Sequence, residues 1–296
     1  GEDFHVELAM RYGNPSIASA LERLRAQRLV AMVNLSIMLV DANKFAEAEA
    51  LLKKTIAGME AAQGAEAGGL IIALSTLEQV LDSRDDFEEQ QRVGERRLAL
   101  ARKLFPGDHS WKSMSLADTG WYLVRAGKIE EGEARMREAI AAYDRMGDVD
   151  MPAIGARRRL ALSQQRRDDY AGALQTLDGA LTLCRPPGIA GNLMCLTVRA
   201  NRADVMAHLG DGATALVEAD AALEALVRTV GAEADEVAQA HQARAAALAA
   251  LDRDVEALAA QREAVDIYTR LYGAENSNTR TAQRRLQALQ APQAAP

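Results

Sequence analysis

The stretch GKIEEGEARMREAI, residues 127–140, places one glycine before a run of helix-forming residues and a second glycine, Gly132, inside it. If this is one copy of a repeated unit, a small residue must return at a fixed period. Aligned on Gly132, the chain offers Ala48 in KFAEAEALL, Gln90 in DFEEQQRVG, Ala173 in DYAGALQTL, Ala215 in DGATALVEA and Ala257 in DVEALAAQR. The successive intervals are 42, 42, 41, 42 and 42 residues.

Two further positions keep the same register. Three residues before the small one stand Phe45, Phe87, Ile129, Tyr170, Gly212 and Asp254, and nine before it Leu39, Leu81, Leu123, Gln164, Met206 and Leu248. This spacing lays a stripe on each of two helices joined by a short turn. Gly127 in RAGKI and Gly210 in HLGDG supply the left-handed residue that ends the first helix. Ala or Gly at five of the six aligned positions predicts close helix contact there. Gln90 breaks that rule and predicts a wider second hairpin.

One helical hairpin per period of 20 to 50 residues is the mark of a solenoid, in which only stacking buries the apolar faces. LADTGWYLVRAGKIEEGEARMREAI, MVNLSIMLVDANKFAEAEALLKKTI and LSQQRRDDYAGALQTLDGAL resemble tetratricopeptide repeats, over about residues 29 to 290. That family repeats at about 34 residues. The longer period here, with the connections LFPGDHSW, LYGAENSN and VGAEADEV, is similar to the kinesin-light-chain-like subclass. The resemblance implies an all-α, right-handed α-solenoid of stacked hairpins. Residues 1–28 are expected to form a partial repeat or capping helix, with an overlong or doubled first helix. Residues 29–274 would form six hairpins, 275–290 a closing helix, and 291–296 a frayed tail.

Composition agrees with helix: 49% of the residues are apolar but only 4% are aromatic. A formal charge of -7 and a pI near 5.3 argue against nucleic acid as a partner, since phosphate binding needs a basic face. No apolar run reaches the roughly 20 residues of a membrane span, and no signal-peptide pattern opens the chain, so no membrane partner and a cytoplasmic location are expected. Cys184 and Cys195 stand without a Cys-x-x-Cys or a dense framework, and buried free thiols are expected rather than a disulfide. The chain opens at Gly1, and residues 6–12 read as the end of a helix, which suggests a piece of a longer protein.

The motifs of nucleophilic hydrolases, phosphate loops and dinucleotide folds are missing from the sequence. His5, His109, His208 and His241 lack the i, i+4 pairing of a helical metal site and read as surface or packing residues. The carboxylates of SRDDFEEQ and KIEEGE flank helix starts, where they complement the helix dipole. No catalytic residue, cofactor or metal is therefore expected.

Binding is another matter. In tetratricopeptide proteins the first helix of each hairpin lines the groove, and register carries this onto Asn34, Thr76, Asp118, Arg159, Asn201 and Ala243. Asn34 and Asn201 fall where kinesin-light-chain-like members hold a peptide backbone with an asparagine. ARRRLALSQQRR, residues 156–167, adds a basic group: Arg158, Arg159 and Arg166, flanked by Arg125 and Arg199. These guanidiniums either present a site for carboxylate or phosphate, or pair with acids of neighbouring helices. Trp121 lies beside them, facing either groove or core.

The expected function is a non-enzymatic scaffold holding a protein or peptide, with an acidic segment, along the concave face. Asn34, Thr76, Trp121, Arg125, Arg158, Arg159, Arg166 and Asn201 are the expected contacts. The alternative is a peptide- or anion-responsive sensor region of a larger bacterial signalling protein, such as a kinase or transcription factor. Self-association through the long first helix or the terminal hairpin is a further expectation.

Overall fold

The computed structural model describes residues 15–63, 68–147, 150–186 and 188–291. Expectations for residues 1–14 and 292–296 fall outside them. Among the described residues every regular element is a helix. The helices follow as pairs: α1 (Pro15–Asp41) with α2 (Phe45–Gln63), α3 (Leu70–Ser83) with α4 (Phe87–Leu104), and α5 (Ser110–Arg125) with α6 (Ile129–Met146). Then come α7 (Met151–Gln165) with α8 (Tyr170–Leu183), α9 (Leu193–His208) with α10 (Gly212–Val230), α11 (Asp235–Ala249) with α12 (Asp254–Tyr272), and a closing α13 (Ser277–Gln290). The chain is an α-solenoid of stacked hairpins, divided into two compact units: Gly1–Leu104, holding α1–α4, and Phe105–Pro296, holding α5–α13. Helix α1 runs 27 residues without a break at residue 28, so the expected N-terminal segment and the first hairpin share one long helix.

Every hairpin turns by the same device. Two or three residues past each first helix the backbone turns left-handed: at Asn43, Asp85, Gly127, Asp168, Gly210 and Asp252, with φ between 56° and 90°. The residue that follows donates its N–H back to the carbonyl five positions earlier, as in Lys44 to Leu39 (2.8 Å), Lys128 to Leu123 (2.9 Å) and Arg253 to Leu248 (3.0 Å). This closes the helix with a Schellman motif. Four of the six turns use Asn or Asp, the non-glycine residues that best tolerate positive φ.

Five residues past each turn comes the small residue, and Ala48, Ala173, Ala215 and Ala257 are all completely buried. The closest approach is at Gly132, where a Cβ would stand 2.4 Å from the carbonyl oxygen of Gly120 on the facing helix. Gln90 is buried as well; its amide donates to the Glu78 carbonyl and the Asp82 carboxylate, both at 3.2 Å. A hydrogen-bonded tether across α3 and α4 thus replaces the packed methyl of the four alanine copies. The same hairpin carries a buried ion pair, with Arg97 Nε and Nη2 donating to both oxygens of Glu78 at 2.7 and 2.8 Å. In this N-terminal unit, α1 leaves Leu24, Val30, Leu35 and Met38 exposed.

The cysteines depart from expectation. Cys184, which caps α8, and Cys195, on α9, are joined in a disulfide with Cα atoms 5.8 Å apart. Spacing alone hid the pairing because the connector between them folds back on itself: Asn192 caps α9 and donates its own N–H to Ile189. Helix α8 also stops short, at 14 residues against 19 in α10 and α12. Both sulfur-bearing residues are buried, which places the bond within the apolar cluster around Leu177 and Val198.

Two outcomes test this packing. Gly132→Ala is expected to lower stability by about 1–3 kcal/mol, because overpacking against the Gly120 carbonyl outweighs the helix-propensity gain of about 1 kcal/mol. Urea unfolding followed by circular dichroism measures it, and a stabilised variant would contradict the close contact. Replacing Cys184 and Cys195 together by Ala is expected to cost up to about 3 kcal/mol, the loop-closure contribution of a link this short. An unchanged midpoint under oxidising conditions would show that the link contributes nothing.

Candidate functional site

The first helices of successive pairs, α5, α7, α9 and α11, together with α13, line one face of the C-terminal unit, and polar side chains tie them to one another. Arg159 on α7 meets the buried Asp118 of α5, Nη2 to Oδ1 at 3.0 Å. Arg158 Nη1 reaches the Asn201 carboxamide oxygen of α9 at 3.5 Å. Asp204, also on α9 and buried, accepts from Gln165 Nε2 of α7 at 2.9 Å and from Arg285 Nη1 of α13 at 3.1 Å. One carboxylate therefore joins three helices across this face. Both of its oxygens are occupied.

The arginine group of ARRRLALSQQRR is split by these contacts. Arg159 is paired. Arg158, half-buried, is held below its ordinary pKa by burial and by Arg159, against the opposing fields of Asp235 and Glu236 at the start of α11. Arg166, the residue after α7, instead lays its guanidinium carbon 4.9 Å from the centroid of the Trp121 ring. Cation and ring attract through the ring quadrupole. Trp121 faces both ways: its other contacts are Val124, Met136 and Leu160 in the core. Burial and the Arg166 charge lower Arg125, in the last turn of α5, to about 10. Burial and the charge of Arg284 on α13 likewise lower Arg166.

Beside the Asp204–Arg285 contact lies an open recess of about 370 Å³ between α9, α11 and α13. Its wall is mostly alanine, including Ala207, Ala246 and Ala288, with His208, Gln242, Gln261 and Arg285 as polar members. Small side chains leave this volume open. At its rim His208 stacks on Tyr170 with ring centroids 4.7 Å apart.

Of the expected contact residues, six are in this unit: Trp121, Arg125, Arg158, Arg159, Arg166 and Asn201. Asn34 and Thr76 belong to the N-terminal unit. Asn34 is exposed on α1, whereas Thr76 is buried and donates its hydroxyl to the Ile72 carbonyl of its own helix at 3.0 Å, leaving it no group to offer. His109 caps α5, its ring accepting from Trp111 N–H at 3.2 Å. Sequence reasoning missed Gln165, Tyr170, Arg284, Arg285 and the recess. Arg285 was within reach: 42 residues beyond Asn201 is Ala243, and 42 beyond that is Arg285.

No family model and no curated protein matches the chain. Solved structures do. A kinesin light chain candidate from Podosopora anserina with nearly identical TPR-like repeats is 13% identical with a TM-score of 0.52, over 67% of this chain and 94% of that one. A Rap protein complexed with Competence and Sporulation Factor is 10% identical with a TM-score of 0.61, over 93% and 79%. A tetratricopeptide repeat protein from Parabacteroides merdae is 13% identical with a TM-score of 0.56, over 97% and 96%. At such identities these likenesses establish the fold: a tetratricopeptide-repeat solenoid with repeats of the kinesin-light-chain-like kind.

Because Asp204 holds α7 and α13 together, Asp204→Asn is expected to weaken both contacts at once while preserving shape. Charge-assisted hydrogen bonds contribute about 1.5–3 kcal/mol each when shielded, and less here because Arg285 is partly exposed. Hydrogen exchange of the amides in α13 should accelerate about tenfold or more, the factor for 1.4 kcal/mol. Unchanged exchange there would show that α13 is held by apolar packing alone.

Proposed function

We propose that the chain is a non-enzymatic scaffold that holds a protein or peptide along the inner face of its C-terminal unit. The recess between α9, α11 and α13 carries this reading, because it is an apolar volume of about 370 Å³ that the protein's own side chains leave open. Ligand sites combine such a volume with a few convergent polar groups. Here Gln242 can donate and accept toward a peptide backbone, and the Trp121–Arg166 stack offers a flat aromatic and a cation. A partner with an acidic segment suits that stack.

The second reading, a peptide- or anion-responsive sensor region of a larger bacterial signalling protein such as a kinase or transcription factor, draws support from the Rap structure. That protein was captured complexed with Competence and Sporulation Factor, and its likeness spans 93% of this chain. A full-length gene without a fused catalytic or DNA-binding domain would remove it. A cytoplasmic location is retained only for a chain whose cysteines are reduced, since disulfides persist in oxidising compartments.

The scaffold reading is tested by panning a random dodecapeptide phage library on the intact protein and on Ala246→Trp, which fills the recess. Enriched peptides should lose at least about tenfold in affinity for the filled variant, a modest share of what one anchoring side chain contributes. Equal binding to both proteins, with matching circular dichroism, would remove the recess as the docking site; an absence of enriched peptides would remove the reading itself.

A further inference from the structure

Five of the eleven large apolar side chains exposed among the described residues lie on one helix, α1: Leu24, Val30, Leu35, Ile37 and Met38. The other side of α1 is taken up by packing within the N-terminal unit. Val33 and Ser36 are buried there, and Leu29 lies against Gly58 of α2. A helix with water on its outer side normally turns a charged face outward. Apolar residues on both sides are the pattern of a helix that is covered from both sides.

The exposed residues have an order. Leu24, Arg28, Ala31, Leu35 and Met38 follow at intervals of four, three, four and three, the spacing by which two helices pack along a seam. Ala31, also exposed, stands in the middle, where a small side chain lets a second helix come close. Beside this stripe runs a polar flank of Arg23, Gln27, Asn34 and Asp41, all exposed. Arg23 and Asp41 are 18 residues apart, about five turns, so they project from the same side of the helix, one toward each end of the stripe. Among the described residues neither meets an opposite charge.

We propose that α1 is a dimerisation surface on which the α1 of a second copy of this chain lies antiparallel. The face is complementary to itself in that direction. With Ala31 set against the partner's Ala31 on a two-fold axis, Leu24 falls level with the partner's Met38, and Arg28 within one residue of the partner's Leu35. On the flank Gln27 comes within one residue of the partner's Asn34, and carboxamides donate and accept at once. Arg23 comes within two residues, about 3 Å, of the partner's Asp41, inside the reach of an arginine side chain. Each of these matches occurs twice, as an isologous contact requires. A parallel copy would instead set Arg23 against Arg23 and Asp41 against Asp41. The surface uses none of the residues on which the scaffold reading rests.

The full chain is measured by sedimentation equilibrium over about 1–300 μM, a span that covers weak to moderate interfaces. The mass should rise from 31.9 kDa toward twice that value. Met38→Glu, at a residue 65% exposed, should weaken association at least about tenfold, whereas Val255→Glu, at a still more exposed residue of α12, should leave it unchanged. Arg23→Glu and Asp41→Arg should each weaken it about fivefold, because like charges then meet at both ends, and the double variant should regain the original affinity. That rescue separates antiparallel self-pairing from any other use of the helix. A mass fixed at 31.9 kDa throughout, a dimer indifferent to Met38→Glu, or a charge-swapped double variant no tighter than the singles, each with unaltered circular dichroism, overturns the proposal.

Discussion

The structure depends on how closely two helix backbones can approach just after a turn. In each hairpin a left-handed residue ends the first helix and a buried residue, compact in every copy but Gln90, follows five positions later: 43 and 48, 85 and 90, 127 and 132, 168 and 173, 210 and 215, 252 and 257. The turn fixes the angle at which the second helix leaves, and the small residue lets it lie against the first. At Gly120 and Gly132 the contact is so tight that neither position has space for a methyl group. No hairpin made this way encloses a core of its own, so successive hairpins must stack.

Stacking at a constant period places residues of the same rank side by side, and much of the inner-face chemistry follows. Asp118 and Arg159 occupy equivalent positions in neighbouring hairpins and form an ion pair. Arg285 shares that rank but sits on α13, where it reaches back to Asp204 two hairpins earlier. Pairing in this manner consumes most of the charge that the arginine-rich stretch suggests in isolation. What remains is Arg166 on Trp121, and an alanine-walled recess that small side chains leave open.

The helix order and the turn positions were legible in the sequence because both recur with a constant register. Leu39, Leu81, Leu123, Gln164, Met206 and Leu248, identified by spacing alone, are the carbonyl acceptors that close all six turns. The pairing state of the arginines was not legible, because whether Arg159 meets Asp118 depends on the rotation between hairpins, which periodicity leaves open. Gln90 was readable as an exception but not as a tether, since its partners lie on the facing helix. The cysteines read as free thiols rather than as a disulfide for a similar reason: an irregular connector brings Cys184 and Cys195 together, and irregular backbone carries no period. Thr76 shows the opposite failure, a register position turned inward and used by its own helix.

Native-state hydrogen exchange resolved along the whole chain tests the account most directly. Protection should rise and fall with a period near 42 residues, highest in the helix segments flanking the buried small residues and lowest at the left-handed turns. A single protected block with no such period, or protection centred on one region that spares the other hairpins, would contradict an array built by stacking.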